Sequence, residues 1–140
     1  MTKERLRNYQ ALKREKAQIR AMMEELEAAM YYPKPQRLTG EPSAPSHSSS
    51  ELEGMVLKQA ELQNRYREKL LELAKELAEI EAAIESLGDS TERALLRYRY
   101  IDGLKWEEVC VKMCYSWQQT HRIHARALRR LAEMEVSACP

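Results

Sequence analysis

From Tyr66 to Leu87, apolar residues recur without a break at alternating steps of four and three: Tyr66, Leu70, Leu73, Leu77, Ile80, Ile84 and Leu87. A row of that period winds along one side of an α-helix; in a strand, side chains change face at every residue. Leu52 and Val56 extend the row backwards through Gln59 and Gln63. The stripe is narrow, so the helix needs a partner to cover it. Ser50 stands three residues before Glu53, the spacing of a capping box, and Gly88 is placed to close the helix in a left-handed conformation. The expected helix covers 51–88.

A second seam lies at the N-terminus, where Tyr9, Leu12, Ile19, Met23, Leu26 and Met30 follow the same rhythm with Lys16 interrupting it. It predicts a helix within 1–31. Between the two helices, residues 32–50 read YPKPQRLTGEPSAPSHSSS and hold four of the five prolines. Such a stretch buries too little apolar surface to offset the entropy of ordering, so a flexible linker is expected. A Pro-rich ligand for an adaptor domain is the rival reading. Two seamed helices joined by a long linker suggest an antiparallel hairpin; pairing between chains through the same helices is the competing and compatible solution.

The chain has 140 residues, 44% hydrophobic and 32% charged, with four Gly and no Phe, a composition that favours long helices. The expected fold class is therefore all-α. The net charge of +1 decides nothing about a nucleic-acid partner. No apolar stretch approaches the roughly 20 residues of a membrane span, and the charged first thirty residues carry no secretory signal. Three cysteines, an odd number without a scaffold spacing, fit a reducing cytoplasmic setting.

Residues 89–134 read differently. Asp89 and Glu92 have capping-box spacing before a helix over Thr91 to Ile101, which Asp102-Gly103 ends with a turn dipeptide. A second helix spans Lys105 to Met113. After Cys114-Tyr115-Ser116 a third starts behind Ser116 as N-cap and runs towards Met134, leaving 135–140 as a tail. Trp106, Val109, Cys110 and Met113 share one face of the second helix, and Thr120, Ile123, Ala127, Leu128 and Leu131 share one face of the third. Two short helices across a three-residue turn suit a helix-turn-helix. The other face of the third helix carries Trp117, Gln118, His121, Arg122, Ala125, Arg126 and Arg129. Four arginines and no acids lie between Tyr115 and Ala132. Amide and guanidinium groups near a helix N-terminus read base edges in a major groove, and cations further along sit near phosphates. The expected DNA-binding set is Lys105, Ser116, Trp117, Gln118, Gln119, His121, Arg122, Arg126 and Arg129. Trp117 either packs on Tyr115 or faces DNA, while Trp106 is expected in the core.

Glu92-Arg93, Leu95-Leu96 and Arg99-Tyr100, then Trp106-Glu107-Glu108-Val109, and finally Ala125 to Leu131 resemble region 4 of the housekeeping bacterial sigma factors. Ser116 sits where that family places the Thr opening its recognition helix. The resemblance covers roughly forty residues and implies sigma-like docking on duplex DNA. Where that family's base-reading positions hold Arg, Glu, Arg and Gln, this chain has Trp117, Gln118, His121 and Arg122, which implies a different sequence preference. Together with the helical N-terminus, Arg99 to Glu108 is similar to small phage and prophage regulators of Gram-positive bacteria, including late-operon activators of the ArpU and RinA type. That implies a transcription regulator in a bacterial host cell, binding a phage promoter and contacting RNA polymerase.

Two other classes fit part of the pattern. A phage small terminase subunit also joins a DNA-binding helical domain to oligomerising helices, and a structural coiled-coil adaptor needs no DNA. Cys110, Cys114, His121 and His124 carry helical spacings that bring a zinc site to mind. However, Cys110 falls on a packing face and the two His project differently, so no metal or other cofactor is expected. Glu107 and Glu108 are adjacent and point apart, and there is no nucleophile triad or phosphate loop, so no enzymatic activity is expected.

Overall fold

A computed structural model of the chain describes residues 1–31 and 49–138. Among them are five α-helices and no strand: α1 (Lys3–Tyr31), α2 (Ser49–Glu85), α3 (Ser90–Leu96), α4 (Trp106–Met113) and α5 (Trp117–Ala138). A single π-helical turn, Arg97–Ile101, continues α3. No described helix is long and apolar enough to cross a membrane. Most of the linker expected at 32–50, and Cys139, lie outside the described residues. The expected tail is helical as far as Ala138.

The chain forms two compact units. One comprises Met1–Lys13 and the chain from Glu72 onward; the other is Arg14–Leu71. In the first, Leu6, Tyr9 and Leu12 of α1 join Ile80, Ile84 and Leu87, Leu95, Leu96 and Tyr100, Val109 of α4, and Ile123, Ala127 and Leu131 of α5 in one buried cluster. The start of α1 is therefore part of this core. It also caps the π turn behind α3: Gln10 Nε2 and Lys13 Nζ donate to Ile101 O at 3.2 and 3.1 Å, and Gln10 also bonds Tyr100 O. Those carbonyls end a helical run and have no partner within it. Gly103 (φ 74°) packs beneath the same Gln10, whose Oε1 would lie 2.8 Å from an added Cβ.

In the second unit, Glu15 pairs with Lys69 at 2.7 Å, and Met22 and Leu26 line a groove with Lys58 and Leu62. Earlier residues of α1 thus meet later residues of α2. The buried side of α2 here carries Leu62, with Gln59, Tyr66 and Lys69 half-buried. Val56 and Leu70 of the expected seam are 54% and 42% exposed. The apolar row and the buried row meet at Tyr66 and coincide further along, at Leu73, Ile80, Ile84 and Leu87. Counting apolar residues cannot detect a lysine that meets Glu15 on the inner side.

Caps also differ from expectation. Ser50 lies inside α2, whose first residue is Ser49. Gly88 does not take a positive φ. α2 stops at Glu85, Leu87 beyond it is buried, and Arg93 Nη1 donates to Leu87 O at 2.5 Å. Asp89 caps α3, accepting from Thr91 N and Glu92 N at 2.8 and 3.4 Å. The Thr91 bond leads the effects that hold its carboxyl below the usual carboxylate range. Glu92, expected to return the capping contact, is turned inwards.

The turn after α4 closes through two backbone bonds, Cys114 N to Val111 O and Tyr115 N to Cys110 O, both 3.2 Å. This paired pattern requires a left-handed residue, and Cys114 takes φ 58°. A non-glycine residue there costs roughly 1–2 kcal/mol. Cys114→Gly is therefore expected to raise stability by about 1 kcal/mol after its own entropy cost, measured as a rise in the urea midpoint.

Candidate nucleic-acid interface

The site is the side of α5 turned away from the core, and the turn that delivers it. Ser116 Oγ accepts from Gln119 N–H at 3.2 Å, satisfying one of the unpaired donors at the helix start. Thr120, Ile123, Ala127 and Leu131 are buried, which fixes the opposite side outwards. Gln118, Gln119, Arg122, Ala125 and Arg129 are exposed there, as is Trp117 at 51%. Lys105 is exposed just before α4, and its backbone N–H donates to Glu108 Oε2 at 2.9 Å.

Two residues of the expected set are engaged elsewhere. Arg126 turns back on the start of α3: its Nε meets Glu92 Oε1 at 2.6 Å and its Nη2 meets Asp89 Oδ2 at 3.2 Å. Arg130 reaches the same Glu92 Oε1 at 2.9 Å. Glu92 is fully buried, and a buried carboxylate persists only when paired and hydrogen-bonded. Arg126 thus ties α5 to α3 while its side chain stays 44% exposed.

His121 is likewise drawn aside. Its ring lies between Trp106 and Trp117, with centroids 4.4 and 4.5 Å away, and its Nε2 is buried without a hydrogen-bond partner. The Arg99 guanidinium stacks over the other end of this column, 4.7 Å from the Trp106 ring, and donates to Leu104 O at 2.8 Å. Such stacking gives Trp117 a fixed base while leaving half its surface open. His124 completes the packing: Tyr100 Oη and His124 Nε2 are 2.7 Å apart in the core, and burial pushes the imidazole down to about 4. Cys114 is exposed and Cys110 half-buried, both as free thiols. No cluster of metal-ligating side chains forms among the described residues.

The family described as "Protein of unknown function (DUF1492)" matches residues 54–132, more than half of the chain. The chain belongs to the DUF1492 family. No curated protein and no solved structure matches it. The DUF1492 region takes in the Glu92 cluster, the aromatic column and the exposed face of α5, but not α1.

The sequence reading missed Glu92 as an internal acceptor and the two arginines as its partners. One signal was available. Glu92 lies three and four residues before Leu95 and Leu96, on the apolar side of α3, where an acid needs a basic partner from another element.

Proposed function

We propose that the C-terminal part of this DUF1492 protein is a helix-turn-helix that binds a specific duplex DNA site, α4 and α5 being its two helices and α5 the recognition helix. The observation that carries this reading is the separation of cations on α5. Arg126 and Arg130 are committed to Glu92, whereas Arg122 and Arg129 stay exposed beside Gln118 and Gln119, on a helix segment without an acid between Tyr115 and Ala132. A purely structural charge run needs no such division.

In this reading the start of α5 enters the major groove. Arg122 offers a bidentate fork to guanine, and Gln118 offers an amide to adenine. Lys105 and Arg129 neutralise phosphates, and Trp117 contacts the groove edge from its aromatic base. The resemblance to sigma-factor region 4 extends the proposal to transcription regulation in a bacterial host cell, as an activator of phage or prophage late genes that contacts RNA polymerase.

Arg122→Ala tests the assignment by titration of selected and scrambled duplexes. The expected loss is about 1–3 kcal/mol on the best site, with relaxed preference at one base pair. An equal loss on every duplex would move Arg122 to a phosphate-contacting role.

A further inference from the structure

At Val56, Gln63 and Leu70 the expected seam of α2 is exposed instead of covered, and this leaves a surface. Gln59, Leu62, Tyr66 and Lys69 turn towards the covered side, whereas Val56, Leu57, Ala60, Gln63, Asn64, Arg67, Leu70 and Leu71 are all exposed. At 100° per residue these exposed positions occupy an arc of about 140°, which borders the covered side at Leu70. Leu57 and Leu71 are 72% and 68% exposed. The apolar content is concentrated in two dipeptides, Val56-Leu57 and Leu70-Leu71, about 21 Å apart along the axis, with Gln63-Asn64 midway between them. An arrangement of that kind is close to reading the same in both directions.

We infer that this face is an isologous interface with a second copy of the chain, the two α2 helices pairing antiparallel about a two-fold axis at Gln63-Asn64. In that register Val56 of one copy faces Leu71 of the other, and Leu57 faces Leu70, so each apolar dipeptide covers its counterpart. Gln63 faces Asn64, a polar pair at the axis of the kind that fixes register in helical coils. Arg67 faces Ala60, whose small side chain leaves room for a guanidinium. Glu61 stands next to Ala60 and supplies the opposite charge; in the single chain its neighbour is Lys58, 3.6 Å away on the surface. The parallel in-register alternative stacks Arg67 on Arg67 and has no such complement. Charge and shape both select the antiparallel pair, whose two-fold axis sets the same patch against itself. This inference rests on α2 alone and stands or falls independently of the DNA reading.

The test is solution mass of the full chain across a concentration series, by light scattering or sedimentation. The expected species has twice the 16.4 kDa chain mass at high concentration. Leu57→Glu with Leu71→Glu shifts dissociation upward by at least tenfold while helical circular dichroism is retained, since both residues are exposed. Glu61→Arg alone and Arg67→Glu alone each weaken pairing, and the two together restore it. Orientation is read from Gln63→Cys and Val56→Cys under mild oxidation, against the unsubstituted chain as baseline. Gln63→Cys cross-links chains near the axis, and Val56→Cys does not. A single-chain mass at every concentration, an unchanged mass for the Leu57/Leu71 variant, failure of the charge swap to restore pairing, or equal cross-linking at both positions each overturns the proposal.

Discussion

Replacing Arg126 and Arg130 together with Met is expected to lower stability by about 3–5 kcal/mol. Each substitution keeps an aliphatic stem against the same surface, so the loss isolates the charge. Both arginines are 44% exposed and would cost little on their own account, since their heads already reach solvent. The cost falls on Glu92, which is fully buried and whose Oε2 already has no hydrogen-bond partner. Without the guanidiniums its buried charge is uncompensated. The loss is a large fraction of the ~5–15 kcal/mol that holds a domain folded. Adding Glu92→Met should recover most of it, because an apolar side chain of like volume needs no partner. Urea denaturation at neutral pH measures both variants against the parent. A double variant within about 1 kcal/mol of the parent would mean that Glu92 is solvated in the folded state.

The second large effect is one of pH. His124 is buried against Tyr100 and Trp106, and its imidazole is held down to about 4, first by burial and then by the positive charges of Lys3, His121, Arg99 and Arg7. In the unfolded chain the same group titrates near 6.5. The folded pKa is depressed, so between these values the unfolded state binds the proton and the folded state does not. Stability from this group is complete above about pH 6.5 and is lost as pH falls to about 4, where the loss levels off. The total is on the order of 3 kcal/mol, with a slope of at most about 1.4 kcal/mol per pH unit. Denaturation from pH 8 to pH 4 should show that decline, and His124→Leu, less stable at pH 8 through the orphaned Tyr100 hydroxyl, should show a much flatter one. Parallel profiles for the two proteins would assign the decline to other groups.

Much of this architecture is legible in the sequence because local signals and burial agree there. Ser116 sits where a cap is needed, Gly103 where a positive φ is needed, and Val109, Ile123, Ala127 and Leu131 recur at helical spacing and are buried. The signals fail where a distant residue changes the meaning of a local one. Lys69 lies on the inner side of α2, where it meets Glu15 of α1. Glu92 carries a capping spacing yet faces Arg126, 34 residues away. Arg126 and Arg129 look alike in sequence, and only packing against α3 ties the first to Glu92. The π turn at Arg97–Ile101 leaves no mark on the periodicity either. It exists in company with Gln10 and Lys13, side chains that reach its carbonyls from α1.

In the fold the expected residues differ in what they touch. Lys105, Trp117, Gln118, Gln119, Arg122 and Arg129 are exposed, Ser116 caps the helix, and His121 is part of the stack beneath Trp117. Arg126 is also exposed and is tied to Glu92.

Selection of the full chain against a random duplex library, with salt titration of the enriched sequence, tests the DNA reading most directly. The expected result is a recurring motif, and affinity that falls with salt on a log–log plot by nearly one unit of slope for each phosphate neutralised, less steeply when Arg129 is replaced by Ala. No enrichment, with no salt-dependent binding to any duplex, would contradict it.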